Sequence, residues 1–326
     1  MSDQTPLLDL IDVKVSYPDR RRGARRTSRI AAVQGVSLSL RRGEAVGLVG
    51  ESGSGKSTLG RAIMGLAPLS SGRILLSGDD VGAIRRRDPL HAARRVQMVF
   101  QDALGALDPR QRIGAALTEV LIVHGLEGPG GGRERTLELL ESVGLAAEHV
   151  DRFPHQLSGG QRQRAGIARA LALEPDVLIL DEPVSALDVS VQAQILTLLD
   201  RLRKEFDLTL LFIAHDLAVV RNVCDRVAVL FRGRIVEASD AESLFSDPLH
   251  PYTRDLLAAV PQIDGELSGP SESGPETPRR APSSDPLGCP YLHRCRHPER
   301  DEGCALARPP LVESKPRQAV ACSKVC

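Results

Sequence analysis

A glycine-rich run between an apolar strand and a helix has the residue types needed to hold phosphate. Residues 50–57 read GESGSGKS, which fits G-x-x-x-x-G-K-[ST] directly after EAVGLV and before TLGRAIMGL. Glycines let the backbone wrap closely around phosphate oxygens, and N–H groups at the following helix start point at the anion. In such a loop Lys56 reaches the β- and γ-phosphates, and the Ser57 hydroxyl ligates Mg²⁺. The predicted nucleotide contacts are Gly50, Glu51, Ser52, Gly53, Ser54, Gly55, Lys56, Ser57 and Thr58.

A pair of carboxylates follows a second buried strand. Residues 177–180 (VLIL) end directly at Asp181 and Glu182. Parallel sheets place their ligands at the carboxyl ends of their strands. Asp181 therefore suits the Mg²⁺ shell, and Glu182 suits polarisation of an attacking water.

A second anion site is predicted between these two elements. Residues 157–164 read LSGGQRQR and precede a helix-like segment, so Ser158 and the N–H groups of Gly159 and Gly160 lie at a helix N-terminus. One chain already has a phosphate loop. The second site therefore makes sense if it grips the γ-phosphate held by another chain.

With the run LSGGQ, which includes Gln161, the sequence resembles the ATP-binding subunits of ATP-binding-cassette (ABC) transporters across roughly residues 7–260. The resemblance implies a head-to-tail dimer with ATP between the two motifs, and hydrolysis coupled to transport. It assigns Tyr17 to the adenine ring, Gln101 to Mg²⁺ and the membrane subunit, residues 185–188 to the dimer interface, and His215 to the γ-phosphate.

Finer features resemble one branch of that family, the oligopeptide/dipeptide and nickel importer ATPases. These features are HPYTRDLLAAVP at residues 250–261 and a cysteine-rich tail. The segments VFQDALGALDPR and DEPVSALDVSVQAQIL are more similar to the F-type subunit of such importers than to the D-type. This resemblance implies a D-type ATPase partner, two membrane-spanning permease subunits, an extracytoplasmic solute-binding protein acting indirectly, and no nucleic acid. It places the docking of a short helix from the membrane subunit near Gln101 and the following DALGALDPR.

The elements that must position these residues follow from the hydrophobic pattern. Residues 7–17 and 31–40 alternate apolar and polar positions, which predicts two paired antiparallel strands around an Arg-rich loop. From Glu44 to about Val260, short apolar strands alternate with helix-like stretches, which predicts an α/β domain with a parallel sheet. We expect a P-loop NTPase cassette over 7–260, with a helical subdomain at about 102–172, a flexible linker over 261–286, and a cysteine-rich module over 287–326.

The tail holds four cysteines, Cys289, Cys295, Cys304 and Cys322, spaced C-x₅-C-x₈-C-x₁₇-C, with Cys326 beyond them. Clustered thiols in a cytosolic protein more often bind metal than form stable disulfides, and a small module needs such a staple. A [4Fe-4S] cluster, zinc and uncoordinated thiols all fit this spacing. The four positions match cysteines that recur in the resembling subunits, which implies the cluster, with Cys326 as the spare. We expect phosphate chemistry to survive loss of the cluster.

Composition limits the alternatives. The 326 residues are 42% hydrophobic and 26% charged, and Lys+Arg and Asp+Glu both total 42, so nothing indicates disorder or a globally basic nucleic-acid binder. No apolar run is long enough to span a bilayer, and no secretory signal is readable, which predicts a cytosolic address. The family resemblance implies a peripheral protein at the cytoplasmic face of the membrane.

The expected function is ATP hydrolysis that powers import of oligopeptides or dipeptides, with nickel or another small solute as the alternative. A soluble ABC ATPase of DNA repair or translation is disfavoured, because the chain holds a single cassette without a long heptad insertion. A nucleotide-binding module without turnover is disfavoured by the presence of both Glu182 and His215.

Overall fold

The computed structural model describes residues 5–19, 29–102, 105, 107–129, 131–259 and 287–325. Two sheets enclose the helix that follows the phosphate loop. The strands are β1 (Leu8–Pro18), β2 (Arg29–Leu40), β3 (Ala45–Val49), β4 (Ser71–Leu76), β5 (Asp79–Asp80), β6 (Val96–Val99), β7 (Val177–Asp181), β8 (Thr209–Ala214), β9 (Arg226–Phe231), β10 (Arg234–Asp240), β11 (Val312–Lys315) and β12 (Gln318–Val320).

The smaller sheet is antiparallel, in the order β2-β1-β4-β5, and the larger has the order β11-β12-β10-β9-β3-β8-β7-β6. Strands β9, β3, β8, β7 and β6 run parallel. This arrangement confirms the predicted parallel core with an antiparallel edge. It also brings the carboxyl ends of β3, β7 and β8 to one edge, where the candidate residues lie.

The helices are α1 (Lys56–Ile63), α2 (Val81–Arg87), α3 (Pro89–Arg95), α4 (Ile113–Val123), α5 (Arg133–Ser142), α6 (Gly159–Leu171), α7 (Val189–Phe206), α8 (Leu217–Val223), α9 (Ala241–Ser246), α10 (Pro251–Ala258) and α11 (Gly303–Leu306). Short 3₁₀ turns at Ala147–Asp151 and Pro154–Gln156 connect α5 to α6. Within the described ranges, no helix has both the length and the apolar character needed to cross a bilayer.

The larger sheet separates two hydrophobic cores. On one face, Leu59 and Ile63 of α1 pack among apolar side chains from both sheets. On the other face, Leu117 of α4, Ile167 of α6 and Leu199 of α7 pack in the second core. The phosphate-loop helix is therefore held between two layers, which limits its movement.

The cysteine-rich tail packs against the cassette. Strand β12 pairs antiparallel with β10, through Glu237↔Val320 and Ser239↔Gln318, and so extends the larger sheet. Tyr291 of the tail is buried in the same core as Tyr252 of α10. The Arg-rich loop at 20–28 and the whole predicted linker over 261–286 lie outside the described residues, and the domain boundaries stay a prediction.

A buried carboxylate fastens this junction. The side chain of Glu237, which is 0% exposed, accepts the backbone N–H groups of Leu249 and His250 at 2.9 and 2.8 Å. It also accepts the side-chain amide of Gln318 in β12 at 3.2 Å. One side chain thus joins the cassette sheet, the start of α10 and the tail.

We expect Glu237→Leu to lower the free energy of unfolding by roughly 2–5 kcal/mol, because the buried backbone N–H groups of Leu249 and His250 would then lack an acceptor. Glu237→Gln keeps one acceptor oxygen and should cost less. Urea unfolding of the full chain measures both, with the exposed Glu242→Gln as the control. Equal urea midpoints for Glu237→Leu and the wild type would contradict this role.

Candidate active site

The phosphate loop follows β3 and ends at the start of α1. Gly50 and Gly55 have φ of +150° and +108°, conformations that side chains rarely adopt. A Cβ atom at Gly50 would lie 2.1 Å from the Leu230 carbonyl oxygen, and one at Gly55 would lie 2.4 Å from that of Ala32. The loop is therefore seated directly on β9 and β2, and only glycine fits at both positions.

Lys56 is 4% exposed and points back into this loop. Its Nζ atom donates hydrogen bonds to the carbonyl oxygens of Gly50 at 2.7 Å and Glu51 at 3.0 Å. Burial lowers the pKa of Lys56, and the nearby carboxylates of Glu182, Asp181 and Glu51 partly offset that effect. A buried cation in a loop of backbone N–H groups is a site for an anion.

Ser57 and Asp181 meet across the gap between α1 and β7. The Ser57 hydroxyl donates to Asp181 Oδ1 at 2.8 Å. Burial raises the pKa of Asp181, and the hydrogen bond from Ser57 opposes that rise. One hydroxyl and one carboxylate at this position match the oxygen ligands that Mg²⁺ prefers.

Three polar side chains from the ends of three strands converge beside this pair. Gln101 Nε2 donates to Glu182 Oε2 at 2.9 Å, and His215 Nδ1 lies 3.3 Å from the same oxygen. Gln101 also reaches the Ser185 hydroxyl at 3.4 Å. The structure therefore brings together side chains that lie far apart in the sequence.

Glu182 has a strained backbone. Its φ is +49°, and its N–H donates to the Ile213 carbonyl of β8 at 2.9 Å. A non-glycine residue in the left-handed region costs of order 1 kcal/mol and persists when its surroundings hold it. The bend turns the Glu182 side chain towards Gln101 and His215 instead of continuing the strand.

The LSGGQ segment forms a capped helix N-terminus. Ser158 is the N-cap of α6: its hydroxyl accepts the Gln161 N–H at 3.2 Å, while its own N–H donates to Gln161 Oε1 at 2.9 Å. A Cβ atom at Gly160 would lie 2.5 Å from Val191 of α7. Within the part of the chain that the structure describes, no hydrogen bond joins this segment to the phosphate loop.

Tyr17 lies near the end of β1, opposite Ile30 of β2, and is 36% exposed. Two residues further along β2 is Ala32, whose carbonyl oxygen approaches Gly55 of the phosphate loop. The aromatic ring is thus carried on the edge that borders the loop. Its assignment to the adenine ring stays a prediction.

The loop residues fit a bound nucleotide. The Ser54 hydroxyl is buried and has no hydrogen-bond partner among the residues that the structure describes, which leaves a polar atom available to a ligand. Lys56 supplies positive charge, while Ser57 and Asp181 supply hard oxygen ligands for Mg²⁺.

An open groove lies beside α4, on the side of β6. It has a volume of about 450 Å³ and is lined by Gln97, Asp108, Gln111, Glu119 and His124, among others. The adjoining Ile122 and Val123 are more than half exposed. We name it the α4 groove. Part of the DALGALDPR segment, namely residues 103, 104 and 106, lies outside the described residues.

The four tail cysteines line one pocket together with His250 and His297. This cysteine pocket is defined by Cys289, Cys295, Cys304 and Cys322. Burial raises the pKa of Cys289, and the three neighbouring cysteines raise it further. The arrangement of the four thiols in space nevertheless differs from what a cluster site, as predicted from the sequence, requires. In residues 5–325, apart from the undescribed stretches, no group of three or more His, Cys, Asp or Glu side chains is placed to hold a metal ion.

Two residues beside the phosphate loop were not predicted. The hydroxyl of Tyr252 accepts the Glu51 N–H at 2.8 Å, and Arg294 of the tail forms an ion pair with the Glu51 carboxylate at 2.8 Å. Tyr252 lies in the HPYT segment, which the sequence analysis used only for its family resemblance. Arg294 has no sequence signal, because 243 residues separate it from Glu51.

Two family models match the chain. The model described as "ABC transporter" matches residues 33–185, which contain the phosphate loop, the LSGGQ segment and the carboxylate pair. The model described as "Oligopeptide/dipeptide transporter, C-terminal region" matches residues 236–304, which include three of the four pocket cysteines.

Individual proteins agree with these models. The oligopeptide transport ATP-binding protein AppF of Bacillus subtilis is 42% identical over 98% of both chains. The structure of cbiO1 from Clostridium perfringens, part of the ABC transporter complex cbiONQ, superposes with a TM-score of 0.66 at 29% identity, covering 75% of this chain and 92% of that one. The cassette MJ0796, a dimer in a post-hydrolysis state with ADP and Pi, has a TM-score of 0.63 at 30% identity and covers 72% of this chain and 98% of its own. The chain therefore belongs to the ABC transporter ATP-binding proteins, in the branch that carries the oligopeptide/dipeptide transporter C-terminal region.

Proposed function

We propose that this chain hydrolyses ATP to power the import of oligopeptides or dipeptides. The observation that carries the hydrolytic part is the convergence of Gln101, Glu182 and His215 beside the Lys56 loop and the Ser57–Asp181 pair. The solute class is supported by the similarity to AppF, whose name describes oligopeptide transport. Nickel or another small solute is the alternative, since the ATPase subunit does not contact the solute.

Each residue has a role that follows from its position. Lys56 and the loop N–H groups would bind the β- and γ-phosphates, while Ser57 and Asp181 would hold Mg²⁺ directly or through water. Bound Mg²⁺ would neutralise charge that develops on the phosphate oxygens. Glu182 accepts a proton from, or orients, the attacking water, and His215 steadies the γ-phosphate side of the site.

We infer that the complete site needs a second chain. The N-terminus of α6 offers Ser158 and the N–H groups of Gly159 and Gly160 as an anion site, and it makes no hydrogen bond to its own phosphate loop in the described residues. In a head-to-tail dimer it would face the partner's γ-phosphate. The F-type resemblance supports a D-type ATPase as that partner, and the dimer formed by MJ0796 is consistent with such an arrangement.

The α4 groove supports docking of a membrane partner. It adjoins β6, which leads directly to Gln101, so a helix seated in the groove would be mechanically connected to the catalytic cluster. We propose that a short helix of a permease subunit docks there. The complex would contain two permease subunits, a solute-binding protein would supply them from outside, and the chain would work peripherally at the cytoplasmic face.

We further propose that the cysteine pocket binds a [4Fe-4S] cluster, with zinc as the alternative. The support is the gathering of four thiols around one pocket, which is the full ligand number of such a cluster. Coordination would require the thiols to move closer than they lie in the structure.

Glu182→Gln should retain ATP affinity and lower turnover by ~10²-fold or more, because the general base acts in the transition state. Lys56→Ala should weaken ATP binding itself. Binding of a fluorescent ATP analogue and phosphate release by the assembled complex separate the two effects, with Glu205→Gln on α7 as a surface control. Near-normal hydrolysis by Glu182→Gln would count decisively against the catalytic assignment.

The isolated chain should hydrolyse ATP at least ~10-fold more slowly than the complex, because the γ-phosphate lacks the partner's anion site. Phosphate release per chain should rise with protein concentration and rise further when the co-purified ATPase and permease subunits are added. Full, concentration-independent turnover by a preparation shown to be monomeric would exclude the composite site.

Anaerobically purified chain should be brown and carry about four iron and four sulfide per chain. Cys289→Ser should lose the colour and the iron, whereas Cys224→Ser, in a buried position outside the pocket, should retain both. Metal analysis and absorption spectra give the answer. If metal analysis finds one zinc and no iron, the pocket is a zinc site and the cluster proposal is wrong. If it finds no metal, the pocket holds only uncoordinated thiols.

A further inference from the structure

The second residue of the phosphate loop is held by the cysteine-rich tail. Arg294 Nη1 lies 2.8 Å from Glu51 Oε1 and 3.1 Å from Oε2, so the guanidinium bridges both carboxylate oxygens. The backbone of the same residue is held as well, since the Glu51 carbonyl accepts Lys56 Nζ at 3.0 Å. A shift of the Glu51 backbone would therefore also displace Lys56, the lysine proposed to bind phosphate.

Arg294 is itself fixed by the turn that carries two of the pocket cysteines. Its N–H and that of Cys295 each donate to the Tyr291 carbonyl at 3.0 Å. Its guanidinium lies over the Tyr291 ring, 5.6 Å from the centroid. The Tyr291 ring packs edge-on against Phe231 at 5.3 Å, and its hydroxyl bonds to Asp255 of α10. We name residues 289–295 the tail turn.

We propose that Arg294 is a positioning residue for the phosphate loop: through Glu51 it couples the tail turn to the loop, so that ATP affinity depends on the tail. The proposal rests on the proposed function in one respect, namely that residues 50–57 bind ATP. It concerns the tail residue Arg294, and it leaves the expectation that phosphate chemistry survives loss of the cluster as a prediction.

The physical basis is charge compensation. Glu51 places a carboxylate in the same loop that receives the polyphosphate, and a bare carboxylate there would repel the nucleotide. Arg294 neutralises that carboxylate and turns it away towards the tail. The side chains of Arg294 and Glu51 are about half exposed, at 53% and 41%. The energy of their ion pair is therefore modest and falls as salt screens the two charges.

The tail turn also places this ion pair next to the cysteine pocket. Arg294 directly precedes Cys295, whose side chain lines the pocket, and Cys289 begins the same turn. A change in the pocket that shifts the turn would therefore shift Arg294. Glu51 also has an uncharged contact, because its backbone N–H donates a hydrogen bond to the Tyr252 hydroxyl. This second contact limits how far the loop can move when the ion pair is lost.

The experiment measures the dissociation constant of Mg-ATP for the full chain, at low and high salt. Arg294→Ala and the uncharged but polar Arg294→Gln should each weaken ATP binding by ~2–5-fold at low salt, with the difference shrinking at high salt. Arg294→Lys should recover part of the loss. Lys315→Ala removes another exposed ion pair of the tail, with Asp247, and serves as the matched control.

A double-mutant cycle distinguishes positioning from a general effect on folding. In a Glu51→Gln background the same Arg294→Ala change should have little further effect on ATP affinity, because no carboxylate remains to be compensated. Thermal unfolding of each variant checks that it is folded; if Arg294→Ala is not, Arg294→Gln carries the comparison.

Two outcomes would overturn the proposal. One is an unchanged ATP affinity in both Arg294 variants, and the other is an equal loss with and without the Glu51 carboxylate. A wild-type chain that binds no ATP would instead refute the proposed function, so the two failures are distinguishable.

Discussion

Lys56 brings a positive charge into the interior of the cassette, and the arrangement of the phosphate site follows from that charge. Burial disfavours the ammonium ion, so it must be surrounded by acceptors: two loop carbonyls lie within hydrogen-bond distance, and the carboxylates of Asp181 and Glu182 lie nearby. The loop can close around the lysine only because Gly50 and Gly55 have no side chain and can lie directly against the backbone of neighbouring strands. A bound polyphosphate would supply the negative charge that this site is built to receive.

The polar cluster that we propose to be hydrolytic depends on the parallel sheet more than on any local motif. Gln101, Glu182 and His215 follow β6, β7 and β8, and parallel strands bring their carboxyl ends to one edge. The left-handed backbone at Glu182 then turns its side chain into hydrogen-bond reach of Gln101. Strain at such a position is tolerated because the surrounding strands, through the Ile213 carbonyl, hold the bend.

The tail is attached to the cassette by several kinds of contact. Strand β12 continues the larger sheet, Glu237 joins three segments through its buried carboxylate, and Tyr291 fills the core beside Phe231. The segment that carries the cysteines is therefore bonded to the cassette by backbone pairing and by core packing. The ion pair between Arg294 and Glu51 adds a connection to the phosphate loop itself.

The sequence by itself determined the elements whose signals are local. The P-loop pattern, the buried strand ending in Asp181 and Glu182, and the helix N-terminus at Ser158 depend on a few consecutive residues, and so the sequence predicts them together with the α/β class and the antiparallel edge. Only the tertiary structure decided how the tail is attached, which residues hold Glu51, and how the four cysteines are spaced around their pocket. The pairing of β12 with β10 and the contact of Arg294 with Glu51 join residues that are far apart in the chain, and a short strand or a single arginine has no periodicity to reveal its partner. Contacts of this kind form when the whole chain packs. Before that, the local sequence does not distinguish the partner that is used from many others.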